Sequence, residues 1–467
     1  MEPSQIRKTG LMVAIFIVLA GAIHVAVKAD RFARIGAGYK AKVMCSEVFV
    51  AARAGDDVLA MEFNDIDDAL ALIDVRVDDR SKTVRANGPL GFGRASAIYR
   101  DGVGCTLVNG GRVSPLEPIP SIDAHNTEPF PKLGDPLPSY SIDHGAIDKA
   151  LTDAFADDTA DHRAFLLMVD GKLVAERYDE GFNAQTPFLS WSMAKSVMST
   201  LIGAAVQDEL LDVSSPVEPS EWNDARRKKI TWHHLLQMQS GLAFEETYVS
   251  PRSDVSRMLF EARDATAIPL SQPAEYPPGE HWSYSSGTTN LLSRFLKETL
   301  EAADIDYHNY LFERLLHPLG ASSMVAEPDP AGIYLMSSFI YGTGRDWLRF
   351  GQLYLDDGVW RGERILAPGW RDYVAQAAEH SDGQYGAQFW LNLDGADERA
   401  RFFPGLPEDV YFMAGRDGQY VVMVPDKNIV LIRFGLARKR EGMESAGPVF
   451  AALYDAVRYN PSEADED

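Results

Sequence analysis

Hydrophobic positions along the chain change their spacing several times, and each change predicts a different element. Residues Leu11 to Val27 are apolar apart from Gly21 and His24, and Arg7 and Lys8 precede them. A signal-peptide core is about 7–15 residues long and a full span about 20, so the run falls between the two. "Val27–Lys28–Ala29" is a poor small-x-small cleavage site, which favours an uncleaved signal-anchor over a cleaved signal. Lys28, Arg31, Arg34, Lys40 and Lys42 follow the run, and the positive-inside rule pulls such residues to the cytoplasmic side. From residue 31 the spacing becomes short and alternating: "KVMCSEVFVAAR", "IDVRVDD", "KTVRANG" and "GCTLVNGGR" read as strands between Gly- and Asp-rich breaks. Seven prolines over residues 114–143 then mark an extended linker.

Beyond the linker, Ile147, Leu151 and Phe155 recur at four-residue steps and predict a helix. "AFLLMVDGKLVAERYDEG" reads as a hairpin turning at Asp170–Gly171. A helix-rich middle, roughly 192–375, follows. "YFMAGRDGQYVVMVPDKNIVLIRFG" reads as two strands joined at Pro425–Asn428, and "SAGPVFAALYDAVRY" as a closing helix. Strands at both ends with helices between them imply an α/β (α+β) fold in which one sheet is assembled from distant segments around a helical insertion. The expected division is 1–30 signal-anchor or signal, 31–115 β-rich module, 116–137 linker, 138–460 catalytic domain and 461–467 acidic tail.

The 467 residues are 46% hydrophobic, enough for a large core and more than one domain. A net charge of −23 repels phosphates and excludes nucleic acid as a partner. His233 and His234 are adjacent and point to different helix faces, and no metal loop is evident, so neither metal nor organic cofactor is expected. The two cysteines, Cys45 and Cys105, form an even pair. In an exported chain that predicts one disulfide, worth about 3–4 kcal/mol by loop entropy.

"SWSMAKSVMSTLIG" holds the one S-x-x-K of the chain, Ser192–Lys195. Positions i and i+3 share a helix face, so the amine can reach the hydroxyl. Val197, Met198, Leu201, Ile202, Ala205 and Val206 supply an apolar stripe for that helix. A serine hydroxyl needs a base before it attacks an acyl carbon, and a desolvated lysine at a helix N-terminus can serve. The alternative for the same residues is a helix cap and a solvated lysine. In "PPGEHWSYSSGTTNLL", Tyr284 and Ser286 sit between a Pro–Gly turn and a helical run, placed to present phenol and hydroxyl to one cleft. Tyr248–Ser250 and Tyr307–Asn309 fit the same Tyr-x-Ser/Asn pattern without that setting. No G-x-S-x-G occurs, which removes support for an α/β-hydrolase elbow.

S-x-x-K, then Tyr-x-Ser, then a glycine-containing terminal strand resembles the serine β-lactamase and penicillin-binding-protein superfamily. Within it the likeness is to the class C-like branch of esterases and 6-aminohexanoate-dimer (nylon oligomer) hydrolases. "ITWHHLLQMQSGLAFEE", "GTGRDWLRFGQLYLDDGVWRGERILAPGW", "YGAQFWLN" and "AGRDGQYVVMVP" carry it across roughly residues 140–460. The resemblance implies a β-lactamase/DD-peptidase-like antiparallel sheet flanked by helices with an all-helical insertion. It makes Ser192 the acylated nucleophile, Lys195 its base or proton partner, and Tyr284 the relay to the leaving group and the deacylating water. Ser286 orients substrate or lysine. The third motif, Lys-Thr-Gly in β-lactamases, falls in "FMAGRDGQ", as Met413–Ala414–Gly415 or as Arg416–Asp417–Gly418. The oxyanion hole is then Ser192 with a donor among Gly415, Arg416, Asp417 and Gly418, Arg416 first.

No lysine stands in that strand, which weakens a β-lactamase reading, and Arg416 is either a substitute carboxylate anchor or a surface residue. Trp191, Trp282 and Trp390 are aromatic pocket candidates, and Glu246 and Tyr248 lie on a loop where related hydrolases contact substrate. The expectation is a serine hydrolase cleaving an amide or ester of a small molecule without cofactor, on the periplasmic side of the inner membrane or exported after cleavage. The alternatives are a D-alanyl-D-alanine carboxypeptidase or β-lactamase and, from another class, a non-catalytic binding protein.

Overall fold

In the computed structural model the two apolar runs around Asp170–Gly171 form the expected hairpin, and the sheet they belong to draws its other strands from the far end of the chain. The structure describes residues 3–460 except 65, 109–136, 158, 249, 251 and 396–400; within 3–25 it describes few side chains. The elements that position the site are α1 (Pro3–Phe49), β1–β4 (Asp74–Asp78, Thr83–Asn87, Arg94–Arg100, Gly104–Val108) and α2 (His144–Phe155). They continue with β5 (His162–Val169), β6 (Lys172–Tyr178), β7 (Phe188–Leu189), α3 (Met193–Gln207) and α4 (Ser286–Ala302). After these come β8 (Ile340–Gly342), α5 (Gly344–Leu355), β9 (Trp390–Leu391), β10 (Tyr411–Gly415), β11 (Gln419–Val424), β12 (Ile429–Gly435) and α6 (Ala446–Asp455).

The central sheet is antiparallel, in the order β9-β10-β11-β12-β5-β6. Its middle strands are buried on both faces, and the period of two sorts their side chains. Ala164, Leu166 and Met168 join one core with the α3 residues Val197, Met198 and Leu201. Phe165, Leu167 and Val169 join the other with Ile147 and Leu151 of α2 and Phe450 and Leu453 of α6. Among the described residues the sheet takes no strand from between β6 and β9, and helices make up most of the regular structure there, as the insertion required. The terminal stretch differs from its expected form. It makes three strands, because Arg416–Asp417–Gly418 is a second hairpin turn whose Asp-Gly pair is the same signal as Asp170–Gly171.

The N-terminal region departs further. "KVMCSEVFV", expected as a strand, completes α1. Ala37, Ala41, Met44, Cys45 and Val48 repeat at helical spacing and pack on the four-stranded sheet β1–β4. Burial of that stripe overrides the β-propensity of Val and Phe. Among the described residues no helix is long and apolar enough to cross a membrane. Most side chains of the 11–27 run lie outside the described residues, as do nearly all of the 116–137 linker and the 461–467 tail. Cys45 and Cys105 are joined, tying α1 to β4.

This N-terminal layer is fastened to the sheet domain by charges withdrawn from water. Lys42 on α1 pairs with Glu327, and both side chains are fully buried. Glu327 also accepts from Ser46 Oγ at 2.8 Å and from the Cys105 N–H at 2.6 Å, while Lys42 Nζ lies 4.3 Å above the Phe339 ring. A second buried cluster links Glu47, Arg53 and Glu62 to Arg163 at the start of β5. Gly38 allows α1 to approach the helix Asp254–Phe260; a Cβ there would sit 2.2 Å from the Phe260 carbonyl oxygen. Leaving one member of a buried pair without its partner costs about 3–5 kcal/mol. Glu327→Ala is therefore expected to lower the urea midpoint by that equivalent at unchanged m-value, and a loss under about 1 kcal/mol would contradict the fastening.

Candidate active site

The turn that presents Ser192 is held from three sides. β7 pairs with β8 (Tyr341 with Leu189, Gly342 with Phe188), and the Ser190 N–H continues the pairing to the Ile340 carbonyl at 2.8 Å. Trp191 then reverses the chain with φ +46°, an unfavourable backbone for a bulky residue that costs on the order of 1–3 kcal/mol. Its ring is buried, 5.8 Å from that of Phe339, which keeps the strained turn in place. Ser192 follows as the N-cap of α3, where the positive end of the helix dipole favours a developing negative charge. The strand end of β10 closes the third side. Gly415 lies so near that a Cβ would come within 2.1 Å of the Ser190 carbonyl oxygen.

α3 is buried all round from Met193 to Ala205, not striped, and so Lys195 is not a solvated first-turn residue. It is 1% exposed. Its ammonium donates to Ser192 Oγ at 3.1 Å, Ser286 Oγ at 2.9 Å and the Ser337 carbonyl at 3.0 Å. Burial pushes the Lys195 amine down from the ordinary lysine range to about 8, against the nearby Glu246 carboxylate, which raises it. The three bonds use all three donors of an ammonium; as a free amine, Lys195 instead has a lone pair for the Ser192 proton.

Tyr284 stands on the other side of Ser192 and shares a hydrogen bond with it. Its ring lies 4.8 Å from Lys195 Nζ, edge-on to Tyr385 at 5.7 Å and tilted against Trp390 at 5.5 Å. Burial, with Tyr385 and Glu246 beside it, pushes the phenol well above the ordinary tyrosine value. Tyr284 is therefore a proton donor at neutral pH, not a phenolate, and Lys195 is the better base of the two.

Ser286 opens α4, behind the N-cap Ser285. Its N–H donates to Glu246 Oε2 at 2.7 Å and its hydroxyl to Glu246 Oε1 at 2.6 Å, while the same hydroxyl accepts from Lys195. Ser286, expected to orient substrate or lysine, thus contacts the lysine, and Glu246, on the loop expected to face substrate, is bonded to Ser286. Tyr248 shares hydrogen bonds with Ser286 and Ser338 and lies under the Arg416 guanidinium at 4.8 Å. The third-motif candidates separate into two pairs. Gly415 and Arg416 adjoin the Ser192 turn. Asp417 is instead ion-paired with Arg438, and its carbonyl and that of Gly418 accept from the buried Arg433. Asp417 and Gly418 are thus held as the turn of the hairpin, with the Gly418 N–H donating to the Gly415 carbonyl at 3.3 Å. Met413 is fully buried, so no side-chain cation from its position reaches the site. Among the described residues, the N–H groups of Ser192 and Arg416 have no backbone acceptor.

Trp390 joins the Tyr284 aromatic group, as does Trp282 through Tyr385 at 5.6 Å, whereas Trp191 lies on the opposite, α1-facing side. Three contributors were missed. Ser337 acts through a backbone carbonyl, and Asn290, which accepts from the Ser337 N–H at 3.1 Å, fixes that carbonyl's loop. Neither role leaves a side-chain signature in sequence. Tyr385 was visible only as part of "YGAQFWLN", with no spacing to tie it to Tyr284.

The chain is similar to a 6-aminohexanoate-dimer hydrolase of Paenarthrobacter ureafaciens, 24% identical over 305 residues, covering 57% of this chain and 77% of that protein. Its structure is similar to that of a family VIII carboxylesterase (TM-score 0.52, 14% identity, 67% of this chain and 97% of the other). It is also similar to a penicillin-binding-protein homologue from Caulobacter crescentus (TM-score 0.51, 16% identity, 66% and 97%). At these identities the structural likenesses concern the fold alone. The family model described as Beta-lactamase matches residues 153–450, from within α2 to within α6 and well over half of the chain, and the protein belongs to that family.

Proposed function

We propose that the protein is a serine hydrolase that cleaves an ester or amide of a small molecule through an acyl-enzyme on Ser192. One observation carries the reading: a buried lysine amine, with its pKa lowered to about 8, lies 3.1 Å from the hydroxyl of a serine at a helix N-terminus. Neutral Lys195 takes the Ser192 proton as Oγ attacks the acyl carbon. The oxyanion that forms is held by the N–H groups of Ser192 and Arg416, each such donor being worth about 3–4 kcal/mol in acyl transfer. Tyr284 delivers a proton to the leaving oxygen or nitrogen as its bond to the acyl carbon breaks, and takes up in turn the proton that Lys195 received. In the second half, water adds to the ester on Ser192 while the Lys195–Tyr284 pair accepts its proton, and the pair returns that proton to Ser192 Oγ as the acid leaves. With Gly415 beside Ser190, the third motif is read as Met413–Ala414–Gly415, which puts Met413 where β-lactamases carry lysine. A substrate carboxylate then lacks its usual ammonium partner, which favours esters and small amides over β-lactams and cell-wall peptides.

The reading includes export. A basic start followed by an apolar run suits a membrane-directed segment, and the Cys45–Cys105 disulfide suits an oxidising compartment. Protein alkylated at lysis and then denatured is expected to show no free thiol, and two alkylated cysteines would count against export.

The mechanism predicts the pH profile. A lysine pKa lowered to about 8 means the base is protonated and idle below that pH, so kcat/KM for p-nitrophenyl butanoate should rise with pH and level off above about 8. Glu246 raises the lysine pKa, so Glu246→Gln should move the acid limb to lower pH while lowering the plateau through looser placement of Ser286. An acid limb that stays put or moves to higher pH in Glu246→Gln would contradict Lys195 as the base.

A further inference from the structure

A cavity of about 440 Å³, within the size range of small-molecule sites, lies between α1 and the Ser192 turn. Its inner wall contains Trp191, Tyr248 and Arg416, which are respectively the residue before the nucleophile, a hydrogen-bond partner of Ser286 and the proposed oxyanion donor. Its outer wall is Ile35 and Tyr39 of α1 with Leu70 and Ile73 of the turn after it, all apolar or aromatic. The outer wall precedes residue 153, where the family match begins, so this enclosure belongs to the N-terminal layer of the chain.

Three observations say what fits. Tyr284, Tyr385 and Trp390, which surround the proton donor for the leaving group, take no part in the lining. Ser192 is not in the lining either; the cavity adjoins the site at Trp191 and Arg416, on the side away from the leaving-group donor. The one carboxylate in its wall, Asp67, is occupied in capping the 68–72 turn by accepting the Ala69 N–H at 2.8 Å. The one cation in the wall, Arg416, repels an ammonium chain end, which would lose its hydration without compensation, whereas an alkyl chain gains from every buried methylene. At the outer end, Phe32 and Leu72 are 45% and 64% exposed, an apolar rim for an amphiphile to enter by. The wall is also preformed, since α1 is held by the Lys42–Glu327 pair and the close approach at Gly38.

We propose that this cavity is an acyl-chain pocket, built by the N-terminal layer, that selects esters or amides of long alkyl acyl chains over those ending in an ammonium group. The proposal rests on Ser192 being the acylated residue. The test is kcat/KM of the full chain for p-nitrophenyl esters from acetate to dodecanoate, each below its micellar concentration. A fully buried methylene is worth about fourfold, so octanoate should exceed butanoate by at least about tenfold. Hexanoyl p-nitroanilide should likewise exceed 6-aminohexanoyl p-nitroanilide. Ala69→Trp, which fills the cavity from the 68–72 turn, should lower the octanoate-to-acetate ratio at least about tenfold, and Ile66→Asn should lower it in the same direction. A wild-type profile that is flat or falls beyond butanoate would overturn the pocket, as would ratios unchanged in both variants. Ser192-dependent acetate turnover with no gain from chain length would defeat the pocket alone, whereas no turnover of any ester would defeat the hydrolase reading itself.

Discussion

Burying an ammonium removes it from water at a cost of several kcal/mol, and a protein does so stably only if the group is surrounded by acceptors or gives up its proton. Lys195 does some of each. Its acceptors are Ser192 Oγ, Ser286 Oγ and the Ser337 carbonyl, and its pKa lies near 8. That intermediate state is useful, since a lysine with its ordinary pKa would hold its proton too firmly to accept another from serine. Glu246 sets the balance from one step away. It holds Ser286 at the start of α4, and its charge keeps the lysine from losing its proton altogether.

The partners of that amine come from parts of the chain that only the fold joins. Lys195 lies 91 residues from Ser286 and 142 from Ser337. α3 is central because β5 and β12, paired from opposite ends of the domain, form a sheet whose face it covers. The Ser192 turn is pinned between β8 and the end of β10, where glycine alone leaves room at position 415. The N-terminal layer enters the same construction. The disulfide ties α1 to its own sheet, the buried Lys42–Glu327 pair holds this layer against the domain, and the space left between them opens beside Trp191.

What could be read in the sequence followed the range of the interaction. The Ser192–Lys195 contact spans one helical turn, the Asp170–Gly171 hairpin is local, and both were legible. Cys45 and Cys105 were legible because two cysteines leave one pairing. The strand around Cys45 was misread because Val and Phe favour strands locally, whereas helical burial decided the outcome. The Arg416–Gly418 turn carried a visible Asp-Gly signal, but an uninterrupted apolar reading on both sides hid it. The bond between Glu246 and Ser286 was not legible, because the two residues lie 40 apart in the chain. Ser337 contributes a carbonyl that any residue could supply, so nothing in its identity marks it.

The central claim is that Ser192 is the nucleophile made reactive by Lys195. Its most direct test is to treat the folded full chain with a fluorophosphonate probe and to map the product by intact-mass and peptide mass spectrometry. The account predicts one adduct per chain, on Ser192, formed faster at pH 9 than at pH 6 and lost in Lys195→Met. No adduct in folded protein, or an adduct on another residue that persists in Ser192→Ala, would contradict it.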